Sequence, residues 1–217
     1  MLPYGRHHID NDDIQAIQKI LESDWLTTGP TIESFESQFA QTVQADYAVA
    51  VCNGTAALHS AMFAIDLQPH DEVIVPAITF VATGNSVLYQ GATPVFADIL
   101  SETLLIDPNS VRKCLSSQTK AIVAMDYAGQ ACDYDWLGEI AQQHNLFLIA
   151  DACHSLGGHY RSRSVGTLAT LNVFSFHPVK NITTGEGGMI TTSDPLLAQR
   201  MRQFRNHGIK QDLHQRS

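Results

Sequence analysis

Five lysines occur in the 217-residue chain, and Lys180 is the one whose setting suggests chemistry rather than solvation. Lys19, Lys113, Lys120 and Lys210 stand among polar residues, the usual place for a hydrated ammonium. Lys180 instead closes Ser175-Phe176-His177-Pro178-Val179-Lys180, just after an apolar run, and Thr183-Thr184-Gly185-Glu186-Gly187-Gly188 follows it before a second apolar run. An amine held in such a site loses its proton more readily and can attack a carbonyl to form a Schiff base; a solvated turn lysine is the plainer alternative. Asp151 ends another apolar run, Leu146 to Ala150, where a carboxylate with limited solvent needs a cation or donors. His154 follows three residues later, so this segment suits a metal-ligand pair, an acid-base pair or a structural hydrogen bond that pins the loop. A third feature is Asn53-Gly54-Thr55-Ala56-Ala57-Leu58. A glycine before a helix lets backbone N–H groups and the Thr55 hydroxyl converge on an anion, although the segment matches neither G-x-x-x-x-G-K-[ST] nor G-x-G-x-x-G and suits a plain helix cap equally.

The elements that must position these groups follow from patterning. Asp10 is suited to cap a helix in which Ile14, Ile17 and Leu21 share one face and which ends near Ser23. The stretch 24–31 reads as a loop, with Thr31 capping a second helix through Ile32, Phe35, Phe39 and Val43. Short apolar runs then alternate with helical stretches. Strands are expected at Tyr47–Cys52, Glu72–Val75, Thr93–Ala97, Ala121–Met125, Leu146–Ala150, Asn172–Phe176 and Met189–Thr192, and a last helix around Pro195–Arg205. The unbroken apolar character of Ala121–Met125 and Leu146–Ala150 suits strands covered on both faces, hence an α/β fold with a mainly parallel sheet flanked by helices. Right-handed crossovers gather the strand C-terminal ends on one edge, where ligands of such folds bind.

Composition narrows the classes. With 44% hydrophobic and 16% charged residues, the chain can bury a sizeable core without staples, which excludes a disordered tail, collagen or coiled coil. The net charge of -9 disfavours nucleic acid and anionic membranes as partners. Residues 1–160 carry 5 basic and 19 acidic groups and residues 161–217 carry 8 and 3, so an anionic ligand belongs near the second segment. Cys52, Cys114, Cys132 and Cys153 form no C-x-x-C pair, consistent with free thiols in a reducing compartment. No apolar run reaches the ~18 residues of a membrane span and the N-terminus lacks a signal core, so a cytoplasmic protein is expected.

Taken together and in order, these segments resemble the fold-type I pyridoxal-phosphate enzymes, and specifically the DegT/DnrJ/EryC1/StrS family of nucleotide-sugar aminotransferases. The resemblance runs from Tyr4 to about Gly208. It rests on Asp24-Trp25-Leu26-Thr27-Thr28-Gly29-Pro30, Asn53 to Leu58, Pro76-Ala77-Ile78-Thr79-Phe80-Val81-Ala82-Thr83, Asp151 to Gly157, and Ser175 to Gly188. Asp126-Tyr127-Ala128-Gly129-Gln130, Phe174 to His177 and Phe204-Arg205-Asn206-His207-Gly208 look most like the branch that aminates UDP-4-keto-6-deoxy-N-acetyl-L-altrosamine on the route to pseudaminic acid. The resemblance implies that Lys180 is the Schiff-base lysine and Asp151 the partner of the pyridine nitrogen. It implies that Phe80 stacks on the ring, that Gly54, Thr55, Ala56 and Ser175 hold the phosphate, and that His154 contacts the ring hydroxyl. Tyr4, Asp24, Trp25, Leu26 and Thr27 would face the sugar nucleotide. The implied reaction moves an amino group from L-glutamate to C4 of a UDP-4-keto sugar, with pyridoxal 5'-phosphate as cofactor, no metal, and a homodimer at full length.

Residues 1–30 then form an N-terminal helix and substrate-facing loop, and residues 31–217 the large cofactor-binding domain, with the family's small C-terminal domain largely absent. Arg200, Arg202 and Arg205 read either as a solvated face or as contacts to that further domain. Two rival readings remain open: a metal-dependent hydrolase with Asp151, His154 and His177 as ligands and Asp126 nearby, and a non-catalytic truncated binding domain.

Overall fold

The computed structural model describes residues 5–209. Seven strands, β1 (Tyr47–Val51), β2 (Glu72–Pro76), β3 (Thr93–Ala97), β4 (Thr119–Met125), β5 (Phe147–Asp151), β8 (Leu171–Ser175) and β9 (Gly188–Thr192), form one sheet. Its order is β1-β9-β8-β5-β4-β2-β3. A small hairpin, β6 (His159–Tyr160) with β7 (Arg163–Ser164), stands apart from it. Neighbours from β8 to β3 run parallel, whereas β9 is antiparallel to both β8 and β1. The sheet is therefore mainly parallel, as the continuous apolar runs require, with one reversed strand.

Helices α1 (Asn11–Leu21), α2 (Pro30–Val43), α3 (Gly54–Ala64), α4 (Val81–Leu88), α5 (Pro108–Cys114), α6 (Tyr134–His144) and α7 (Pro195–Arg205), with one 3-10 turn at Tyr127–Gly129, are the helical elements among the described residues. Alternation within β4 shows how the layers arise. Ile122 and Ala124 face a cluster with Phe39, Val43, Val111, Leu137 and Ile140, from α2, α5 and α6. Ala121 and Val123 face the opposite cluster with Leu58, Met62, Val87, Leu197 and Met201, from α3, α4 and α7. Both sides of the strand lose contact with water, and each fully buried aliphatic side chain contributes about 1.5–3 kcal/mol of transfer free energy. The outward step from β2 to β3 uses α4 on one face. The return through β4 to β5 uses α5 and α6 on the other, as right-handed crossovers demand.

The two N-terminal helices differ from each other. α1 opens as expected on Asp10, whose side chain accepts from Asp12 and Asp13 N–H while Asp13 accepts from Asp10 N–H. Ile14, Ile17 and Leu21 line one face but remain exposed. α2 begins before the expected cap: Pro30 occupies its first turn, and Gly29 is the N-cap in place of Thr31. Proline has no N–H to satisfy and its fixed φ suits the first helical position, so the helix starts there. Phe39 packs edge-on against Phe174 at 5.0 Å and Phe176 at 5.5 Å, tying α2 to β8 and to the start of the Lys180 loop.

Candidate active site

Because β1, β2, β4, β5 and β8 point the same way, the residues that follow them emerge at one edge of the sheet. These are Gly54 after β1, Phe80 after β2, Asp126 after β4, Asp151 and His154 from β5, and Ser175 at the end of β8. The β8–β9 hairpin turns at the same edge and carries Lys180. Its loop is fastened from within: Lys180 N–H donates to His177 O at 2.9 Å, and the Thr183 hydroxyl and Thr184 N–H both donate to Phe176 O.

Asp151 is only 3% exposed. Its Oδ2 accepts from the Thr83 hydroxyl at 3.1 Å, and its Oδ1 has a long 3.4 Å contact from Cys153 N–H. Among the described residues it makes no ion pair with a lysine, arginine or histidine. A buried carboxylate held this way calls for a cationic partner. Lys180 is close enough for its charge to be felt by both Cys153 and His154. Burial lowers the His154 pKa, the Lys180 charge lowers it further, and Asp151 pulls the other way, so the imidazole favours its neutral form. The Cys153 thiol is pushed up by burial and then by Asp151, which keeps it protonated.

Gly54 opens α3 with Asn53 as cap, the Asn53 side chain accepting from Ala56 N–H at 2.8 Å. A methyl group on Gly54 would lie 3.0 Å from the Ser175 Cβ and 3.4 Å from the Cys153 sulfur, so the helix start, the β8 end and the β5 turn converge on one spot. Gly188 lies against Asn53 O so closely that any side chain would strike the backbone there. Phe80, the N-cap of α4, is 67% exposed, so its ring is accessible at this edge. Gly5 runs beside Val179, 3.9 Å from where its Cβ would be, so the N-terminal segment reaches the Lys180 loop. Tyr4 lies outside the described residues. Asp24, Trp25, Leu26 and Thr27 are exposed on the segment between α1 and α2, with Trp25 folded against Gly29.

Two further groups complete the edge: Thr83, for which the sequence suggested no role, and Asp126, which it placed only near a possible metal site. Thr83 has no short-range signal for a partner 68 residues away. Asp126 is fully buried and accepts from Cys132 N–H at 3.0 Å, Tyr134 OH at 2.8 Å and Ser155 OH at 2.7 Å. Burial raises its pKa, its three donors oppose that, and Asp151 adds to the rise. These partners engage Asp126 in holding the turns rather than in binding metal. No group of three or more His, Cys, Asp or Glu side chains among the described residues is arranged to hold a metal ion, and His177 is exposed, so the hydrolase reading is not favoured.

A groove of about 1260 Å³ lies between α2, β1 and α7; it is bordered by Ala56 but includes neither Lys180 nor Asp151. Arg202 and Arg205 border it but are not merely solvated: both pair with Glu36, and they donate to Ala48 O and Ala50 O respectively. Arg200 pairs with Asp66.

The donor set fits pyridoxal phosphate: an amine, a buried anion, an exposed aromatic ring and a glycine-opened helix start lie at one edge. Comparison with known proteins agrees. The chain is 44% identical over 208 residues to the spore coat polysaccharide biosynthesis protein SpsC of Bacillus subtilis (strain 168), covering 96% of this chain and 54% of that protein. The structure of Helicobacter pylori PseC, described as an aminotransferase involved in the biosynthesis of pseudoaminic acid, matches with TM-score 0.91 at 34% identity, over 97% of this chain and 57% of that one. The sugar aminotransferase Spr1654 of Streptococcus pneumoniae, described as putative and solved in PLP and PMP forms, matches in the PMP form with TM-score 0.93 at 30% identity, over 99% and 59%. The chain thus spans about half the length of these relatives. The model of the DegT/DnrJ/EryC1/StrS aminotransferase family matches residues 7–217, and with the edge geometry above this makes the chain a member of that family.

Proposed function

We propose that the chain forms the cofactor-binding part of a pyridoxal-phosphate-dependent aminotransferase. It would move an amino group from L-glutamate to C4 of a UDP-4-keto-6-deoxy-N-acetylhexosamine, in pseudaminic acid biosynthesis. The observation that carries this reading is the buried Asp151 carboxylate, which has no cationic side chain paired to it among the described residues, on the sheet edge that also bears Lys180. Family membership and the sugar-directed roles of SpsC and PseC support the reaction class.

When bound, the cofactor supplies an electron sink for the pair released as a Cα proton leaves. The chain's residues do the rest. Lys180 would supply the amine that holds the cofactor, and the same amine would be the base that takes the donor's Cα proton and returns a proton to the sugar carbon. Asp151 keeps the ring nitrogen protonated, because a proton shared with a buried carboxylate is favoured there. Gly54, Thr55 and Ala56 at the start of α3, with Ser175, hold the phosphate, where helix N–H groups and the macrodipole favour an anion. Phe80 would cover one ring face, and neutral His154 would meet the ring hydroxyl. Residues 1–30, through Tyr4 and the Asp24–Thr27 loop, face the sugar nucleotide, and residues 31–217 form the cofactor domain. The full-length enzyme is a homodimer. Four free cysteines suit a cytoplasmic location, and no helix among the described residues is long and apolar enough to cross a membrane.

The experiment adds pyridoxal phosphate to the purified protein, reduces with borohydride and maps the adduct by mass spectrometry. The expected adduct is on Lys180, and it should be lost in Lys180→Ala. An adduct spread over surface lysines refutes the assignment. Incubation with L-glutamate and UDP-4-keto sugars, followed by product mass, tests the substrate class.

A further inference from the structure

We infer that Thr83 is a positioning residue for the cofactor, with Thr79 behind it, acting through Asp151 in a two-hydroxyl relay that fixes and polarises the carboxylate facing the ring nitrogen. This rests on the assignment of Asp151 to that nitrogen. The geometry gives the relay a direction. Thr83 is fully buried on α4, and its hydroxyl donates to Asp151 Oδ2 at 3.1 Å. A carboxylate can only accept, so the single Thr83 proton is committed to it. The 2.6 Å contact between the Thr79 and Thr83 hydroxyls must then run with Thr79 as donor. Each bond strengthens the next when all point toward a charge in a site of low dielectric.

The two carboxylate oxygens are therefore unequal. Oδ2 is occupied by the relay, while Oδ1 takes the long contact from Cys153 N–H; the Cys153 thiol, a weak donor, is the other group that bonds to the carboxylate, so Oδ1 retains acceptor capacity. Thr83 also counters a repulsion. Asp126 follows the neighbouring strand, its N–H donates to Asp151 O at 3.0 Å, and its carboxylate and that of Asp151 repel each other. Three donors satisfy Asp126, and for Asp151 the hydroxyl from α4 is the shortest one. The remaining ionisable groups around Asp151 are Cys132 and Tyr134 beyond β4, Cys153 and His154 on its own turn, and Lys180 on the hairpin. Thr83 alone, among the groups that bond to the Asp151 side chain, comes from the helix whose cap is Phe80. One helix thus sets both the stacking ring and the orientation of the anion.

The test measures binding of two probes to the protein, pyridoxal phosphate and its 1-deaza analogue, in which carbon replaces the ring nitrogen. Wild type should prefer pyridoxal phosphate. In Thr83→Val that preference should fall about tenfold or more, the scale of one hydrogen bond to a charged group, while affinity for the analogue changes less than about threefold. Thr83→Ser should restore the preference, and Thr79→Val should lose part of it, which covers the case of a Thr83→Val protein that does not fold. A preference unchanged in Thr83→Val, or both probes weakening together, overturns the relay. A wild type that binds both probes equally overturns instead the assignment of Asp151 to the nitrogen. A wild type that binds neither overturns the cofactor reading, and the relay with it.

Discussion

His59 shows how a single side chain sets pH behaviour away from the chemistry. It sits on α3 with ring centroids 5.1 Å from Tyr89 and 5.0 Å from Phe204, and burial lowers its pKa below the usual 6.5. His154 is lowered as well, by burial and then by Lys180. For both, the unfolded chain takes up the proton before the folded one does. Their contribution to stability is therefore complete above pH 6.5 and is lost as the pH falls toward the folded-state values. Urea midpoints measured from pH 8 to pH 5 should fall across that window. His59→Phe, which keeps the ring packing but cannot be protonated, should flatten the slope, and an unchanged slope would clear His59 of the effect. Neither shift is legible in the sequence, since each depends on residues brought near by folding. Asp151 is different: its place after five apolar residues already marked it as a carboxylate at a buried strand end.

Helices and strands came close to their expected positions because their patterns are local. The Asp10 cap of α1, the five residues of β3 and the bounds of α7 are where the sequence puts them. The start of α2 moved because Pro30 outweighs Thr31 as a helix signal. The hairpin β6–β7 has two-residue strands, too short for any period to register. The edge strand β1 reveals an arrangement that no helical wheel contains. Glu36 shares α2 with apolar Phe35 and Phe39, yet its carboxylate is buried, accepts from Ala50 N–H at 2.9 Å and pairs with Arg202 and Arg205. The two guanidiniums cover the Ala48 and Ala50 carbonyls, so the outer rim of β1 is capped by side chains. Glu36→Ala leaves one strand N–H without its acceptor and two cations without their anion. It should cost about 2–3 kcal/mol, read as a lower urea midpoint, and should raise light scattering as the rim opens. Glu36→Gln, which keeps an acceptor for Ala50, should recover part of the loss.

At the scale of the molecule, one sheet separates two packed layers with few shared partners. Ile140 on α6 and Ile65 at the end of α3 are both buried, but in opposite clusters. Each change to valine should cost about 0.5–1.5 kcal/mol, and the double variant should equal the sum within about 0.5 kcal/mol. Chemical denaturation checks this, and a larger discrepancy would mean that the layers communicate through the sheet. Composition and apolar period determined the α/β class and the strands, and put Asp151 at a strand end and Gly54 at a helix start, because burial on two faces and a helix start are written in neighbouring residues. Only the tertiary structure decided that β9 runs backward between β8 and β1, that Thr83 donates to Asp151, and that Glu36 caps β1. Those are pairings between distant segments, and their free energy depends on distance and desolvation that a linear order of residues does not contain.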